Sequence, residues 1–154
     1  LPGRLTAARV SRDGSRVALI TGSGSAARLF VAALSGVDQL DSGNLSDGVV
    51  SVTEPREVLP DLRSVRDVTW ADASTLVVLG SRVGLRVQPL YVSTDGYQVT
   101  EVEPFQGLVA IAAGPGSPEP LPLVGATANG QLVTFRSGRG WQPLGRGSDP
   151  GYRG

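Results

Sequence analysis

Four residue types that carry much of protein chemistry are missing from this chain of 154 residues, which has no Cys, no His, no Met and no Lys. Without Cys or His there is no disulfide, no thiolate or imidazole zinc site, no Ser-His-Asp or Cys-His nucleophile pair, and no haem held by a His or Cys ligand. A charge excess is missing too: 14 basic residues, all Arg, balance 14 Asp plus Glu. Nucleic-acid-binding domains carry a basic excess or clustered cations, so no nucleic-acid partner is expected. The longest apolar runs, such as Val17 to Ile20 and Thr75 to Leu79, fall far short of the roughly 20 residues that cross a bilayer as a helix. The chain opens on Leu1 and shows no signal-peptide apolar region, so a piece of a longer protein is expected. What remains points to surface recognition without a metal or a cofactor, and to a protein that is not an enzyme.

What is present is turn chemistry. The 21 Gly and 11 Pro exceed average usage, aromatics make up 5% of the chain, and Ile occurs twice while Val and Leu supply most of the apolar side chains. Asp13-Gly14, Asp95-Gly96 and Asn129-Gly130 are the strongest of many turn signals, because a tight hairpin needs positive φ at its centre. Between the turns lie β-branched runs of four to eight residues, for example Arg16 to Thr21 and Gln131 to Phe135, which is the strand signature. Arg in place of every Lys also resembles the codon bias of a GC-rich genome.

A weak internal repeat organises these strands. Ala8 to Gly36 aligns with Asp67 to Gly96, placing Val10 on Val68, Val17 to Ile20 on Leu76 to Leu79, and Leu29 to Val31 on Leu90 to Val92. A looser third copy runs from Leu108 to Leu144. Units of about 45 to 60 residues with four short strands each predict β-propeller blades. The expected fold is therefore all-β, about three four-stranded antiparallel blades forming half of a six-bladed propeller, with blades at about 6–59, 65–103 and 107–144 and a tail at 145–154. Gly36 to Gly48 and Pro115 to Pro122 read as long loops.

The segments SRDGSRVALI and RLFVAALSG resemble the SPDG blade repeat of TolB-type propellers, although Arg12 stands where that pattern has Pro. Together with VRDVTWADASTLVVLG, PLYVSTDG and the closing SDPGYRG, the order of the three units resembles the C-terminal half of the propeller in LpqB-type actinobacterial lipoproteins. The resemblance implies an extracytoplasmic lipoprotein, held at the membrane by an N-terminal lipid anchor outside this chain. It also implies a partner, the extracytoplasmic domain of a two-component sensor histidine kinase that governs cell-wall homeostasis and division.

Several motifs carry a sharper alternative. Gly22-Ser23-Gly24-Ser25-Ala26-Ala27 fits a dinucleotide-binding loop, but no second apolar strand follows to complete a βαβ unit, and the matching slot of the second repeat holds Pro89. A hairpin turn is favoured. Asp67, Asp72, Glu101 and Glu103 are the carboxylates a propeller hydrolase or lyase acting on cell-wall glycans or peptides would draw on. For Asp67 the simpler expectation is a charge partner such as Arg66, and for Glu101 and Glu103 a solvated face. Calcium at Asp41, Asn44 and Asp47 lacks the Gly and distal Glu of an EF-hand loop. Trp70 and Trp141 are expected to pack between blades. Arg63, Arg66, Arg82 and Arg86 fall in or near connections on one rim of the second blade, where their guanidiniums could meet a carboxylate-bearing partner. Three blades cannot close a ring, so the end blades need cover from the N-terminal half of the same propeller or from a second copy.

Overall fold

Asp-Gly and Asp-x-Ser turns close three of the hairpins from which the molecule is assembled. The computed structural model describes residues 3–35, 51–82, 85–103, 105–113, 123–136 and 138–146. These form three antiparallel sheets, each running from an inner to an outer strand in chain order. The first holds β1 (Leu5–Val10), β2 (Arg16–Thr21) and β3 (Arg28–Ser35), with an outer strand in two pieces, β4 (Ser51–Val52) and β5 (Arg56–Glu57), both paired to β3. The second holds β6 (Leu62–Trp70), β7 (Thr75–Arg82), β8 (Gln88–Ser93) and β9 (Val99–Glu101). The third holds β10 (Leu108–Ala113), β11 (Leu123–Thr127), β12 (Gln131–Arg136) and β13 (Gly140–Arg146). The all-β, three-blade reading is what the structure shows.

The glycine-rich segment after β2 is a single 3-10 turn, Gly24–Ala26, joining antiparallel β2 and β3, which is the hairpin connection favoured from the sequence and excludes a βαβ dinucleotide fold. Three details correct the sequence reading. Val10 lies opposite Val17, and Trp70 opposite Leu76. With Val17 matched to Leu76, Val10 therefore corresponds to Trp70 rather than Val68, because the first hairpin is one residue longer. The fourth strand of the third sheet runs to Arg146, into the expected tail. Arg63 and Arg82 lie within strands, not in connections. The two long loops and the Asp41, Asn44 and Asp47 group lie outside the described residues.

The hairpins repeat one device. A turn aspartate accepts a backbone N–H two residues on: Asp13 from Ser15 at 3.0 Å, Asp72 from Ser74 at 2.8 Å, Asp95 from Tyr97 at 2.9 Å. Gly14 and Gly96 follow at φ 76° and 78°, a region where a side chain is strained. The Ser15 N–H, followed by the Ser11 and Ser15 hydroxyls, pulls the Asp13 carboxyl from the ordinary 3.8 to about 2. A folded-state pKa below the unfolded one stabilises the fold above the unfolded value and loses that stabilisation as pH falls through the folded value. The stability gap between wild type and Asp13→Asn is thus expected to be constant above pH 3.8 and to shrink as pH falls toward about 2. Urea unfolding midpoints at stepped pH check this, and a gap that stays flat to pH 2 would overturn it.

The sheets pack face to face through two apolar layers. Between the first and second sheets lie Ala18, Ile20, Leu29, Val68, Trp70, Leu76, Val78 and Leu90. Between the second and third lie Val77, Leu79, Leu108, Ile111, Leu123 and Val133. Alternation sends Leu76 and Val78 of β7 to one layer and Val77 and Leu79 to the other. The middle sheet is covered on both faces, which explains why β7 is apolar at every position from Leu76 to Leu79. Gly125 faces Leu108, where an added Cβ would come within 2.7 Å of Leu108 Cδ2. In the third sheet the register puts Ala110, Ala112, Val124, Ala126 and Leu132 on the face turned away from the second sheet. On that sheet Val109 and Leu144 are 42% and 44% exposed.

Candidate functional site

The four arginines singled out in the sequence share one rim, where β7 ends, β8 begins and the chain enters β6 and β10. They do not converge on one point there. Arg82 pairs with Asp61, its Nη2 lying 3.2 Å from Oδ2. Arg63 lies 4.0 Å from Glu57 and donates to the carbonyls of Pro60 and Leu62. This first pair therefore grips the segment leading into the second sheet. Arg66 donates to the Leu108 carbonyl at 3.0 Å, and Arg86 to Gln106 Oε1 at 3.2 Å, so the second pair grips the segment leading into the third. Register places Arg63 opposite Ser81 and Arg82 opposite Leu62, which puts these two side chains on opposite faces. Ser64, with φ at 54°, sits in the irregularity that offsets Arg63 from the rest of β6.

The arginines remain available at the surface. The Arg63 and Arg82 side chains are 43% and 41% exposed. Arg86 lines a cleft of about 240 Å³ with Phe105, Gln106, Gln88 and Glu101, and Leu85 beside it is 53% exposed. An exposed leucine and a guanidinium next to a small cleft are the residue types that anchor protein contacts. Behind the cleft Trp141 stacks obliquely on Phe105 and Phe135, with ring centroids 5.6 and 5.2 Å away, and its indole N–H donates to the Glu103 carbonyl. Trp70, 5% exposed, donates across the first seam to the Arg9 carbonyl at 2.8 Å. Both tryptophans pack between sheets, as expected from the sequence.

The carboxylates behave differently from one another. Glu101 and Glu103 are exposed, and Asp72 is spent on its hairpin. Asp67 is buried, and its partner is not the neighbouring Arg66. Its Oδ1 accepts the Val68 N–H at 2.9 Å and faces Arg9 at 3.4 Å, while its Oδ2 accepts the Ile111 N–H at 2.9 Å. One carboxylate thus joins the inner strands of all three sheets. Three further bonds follow the same seams, one from the Ala113 N–H to Thr69 Oγ1 and two from the Arg16 guanidinium to the Ala73 carbonyl and Thr94 Oγ1. Sequence reasoning missed the Arg9–Asp67 pair because the residues are 58 apart. The one available signal was a lone acid on an inner strand, at a position occupied by Ala7 and Ala110 in the other two sheets.

Among the described residues no three Asp or Glu gather as metal ligands would, and no helix is long and apolar enough to cross a membrane. Over residues 1–152 the chain matches the family described as "Lipoprotein LpqB beta-propeller domain". It is 34% identical over 157 residues to a protein named Lipoprotein LpqB from Streptomyces avermitilis, and 34% identical over 157 residues to one of the same name from Streptomyces coelicolor; both alignments take in 100% of this chain. A third, from Thermobifida fusca, is 29% identical over 155 residues, 97% of this chain and 22% of the relative. The chain spans 25% and 24% of the length of the two Streptomyces relatives.

Proposed function

The chain belongs to the LpqB lipoprotein β-propeller family, and from that footing we propose that it is a recognition module without catalytic activity, carried outside the cytoplasm by a lipid-anchored parent protein. Its partner is the extracytoplasmic domain of a two-component sensor kinase concerned with cell-wall homeostasis and division, whose signalling it modulates. The observation that carries the recognition role is the rim: Arg82 and Arg86 are fixed in place by Asp61 and Gln106 on an exposed edge beside Leu85 and a small cleft. Preorganised guanidiniums of this kind lose less freedom when they meet a carboxylate than free ones do. Catalysis by carboxylates is the competing class. Asp67, the buried acid it would need, has both oxygens occupied by backbone N–H groups and Arg9.

Rim charges act mainly on encounter. Reversing both, as Arg82→Glu with Arg86→Glu, is expected to slow association with the isolated sensor domain by about tenfold at low salt and to flatten its salt dependence. Losing the Arg82–Asp61 pair, whose side chains are both 41% exposed, should lower stability by no more than about 1 kcal/mol. Stopped-flow association at several ionic strengths, using the complete propeller, reads both quantities. No binding by the unmutated propeller would remove the partner, whereas unaltered binding by the double variant would remove the rim and leave the partner standing.

The same footing supports a second association. Among the described residues no sheet covers the far face of the third sheet. We infer that the rest of the same propeller, or a second copy of this chain, packs there as one sheet packs on the next within the structure.

A further inference from the structure

The outer strand of the first sheet is broken where those of the second and third are not. After β4 the chain reads Thr53-Glu54-Pro55; the Thr53 N–H still donates to the Ala33 carbonyl at 3.0 Å, and ladder pairing to β3 then resumes only at Arg56. Pro55 has no N–H to give to a ladder, so the strand opens there. The Thr53 side chain partly replaces the lost pairing by accepting the Ala33 N–H at 2.9 Å. The gap leaves a cavity of about 520 Å³ at the seam with the second sheet, within the roughly 300–1,000 Å³ of small-ligand sites.

Register explains its chemistry. Arg16 lies opposite Ala33, and Arg56 opposite Val31. Ala33 and Val31 are two apart on β3, so all four side chains leave the same face of the sheet, the one turned to the second sheet. Two guanidiniums therefore flank a floor of small apolar side chains. The Arg16 guanidinium is fixed by donating from Nη1 to the Ala73 carbonyl at 3.2 Å and to Thr94 Oγ1 at 3.0 Å, which leaves Nε and Nη2 free of those two bonds. Across the seam stands Asp95, held ionised by the Ser93 hydroxyl, the Tyr97 N–H and the charge of Arg56, and Glu54 lines the same cavity.

Among the described residues the lining thus carries two positive and two negative charges and no aromatic ring. A neutral balance disfavours a polyanion, and the lack of a stacking face disfavours a sugar ring or a nucleobase. We propose that this seam cavity binds a short zwitterionic peptide of small residues, its carboxylate taken by Arg16 and Arg56 and its ammonium by Asp95 and Glu54. The site is independent of the rim, on the opposite ends of the strands, and does not rest on the kinase reading.

The test uses the 154-residue chain, isotope-labelled, with L-alanyl-L-alanyl-L-alanine as the probe. Saturable amide shifts at Ala33 and Thr94 are expected, with a dissociation constant on the order of 1 mM. The same peptide acetylated and amidated should bind at least about tenfold more weakly, as should the free peptide to Arg56→Ala, a substitution at an exposed position. The proposal fails if those amides do not shift up to about 20 mM peptide, if shifts saturate elsewhere on the molecule instead, or if the capped peptide binds as well as the free one.

Discussion

Asp67→Ala is expected to lower the free energy of unfolding by about 3–5 kcal/mol, a large share of what holds a domain of this size together. The substitution strips the acceptor from the buried Val68 and Ile111 N–H groups at once and removes the carboxylate that faces the half-exposed Arg9 guanidinium. Each buried N–H left without a partner costs roughly 1–3 kcal/mol. Asp67→Asn keeps one acceptor oxygen, so about half the loss is expected. Arg9→Ala should cost under about 1 kcal/mol, since the Arg9 side chain is 50% exposed and its bond is 3.4 Å long. The order Ala worst, Asn intermediate, Arg9→Ala mildest can be read from urea unfolding. Equal stability of Asp67→Ala and wild type would show that the seam bonds contribute nothing. This result also bears on function: any loss of activity in an Asp67 variant must be corrected for unfolding before it is assigned to a chemical step.

Val124→Arg is expected to do the reverse, leaving this chain intact while abolishing its assembly into a larger propeller. Val124 sits at the centre of the third sheet's far face, between Ala112 on β10 and Thr134 on β12, and is half-buried. Its counterparts in the other sheets, Ala18 and Val77, are 0% exposed because a neighbouring sheet covers them. A guanidinium at a half-open site reaches water, so the isolated chain should lose less than about 1 kcal/mol. Buried under another sheet without a partner, the same charge costs several kcal/mol, or about a hundredfold or more in association. Mixing this chain with the remainder of the propeller, or raising its own concentration, and following mass by light scattering distinguishes the two. Association that survives Val124→Arg would place the contact on another face.

Much of the fold was legible along the chain because it depends on neighbours in sequence. A turn aspartate with a serine two residues on, a glycine at positive φ and a β-branched run are all local, and together they set the hairpins that pile up as blades. The inner-strand alignment slipped by two residues, from Trp70 to Val68, because the first hairpin is one residue longer and apolar alternation is unchanged by a shift of two. Trp70 and Trp141 were legible as packing residues, since an indole flanking a strand has more area to bury than a turn can hide.

The candidate sites were less legible. Which acceptor Arg63, Arg66, Arg82 and Arg86 would each take was not visible, because Asp61, Gln106 and the Leu108 carbonyl are reached only after the sheets pack. Arginine is also the only base the chain uses, so its presence at a position distinguishes little.

By itself the sequence determined the absence of thiol and imidazole chemistry, the all-β class, the strand count of each repeat and the turn types, since each follows from residue identity or from bonds spanning a few residues. Tertiary structure alone decided that Asp67 joins three strands through Arg9, Val68 and Ile111, that the break at Pro55 opens a cavity beside Arg16 and Arg56, and that the third sheet turns a half-buried apolar face away from the second. The physical reason is distance along the chain: these features depend on which residues come together across the seams between sheets, and local turn and strand preferences carry no information about how one sheet faces the next.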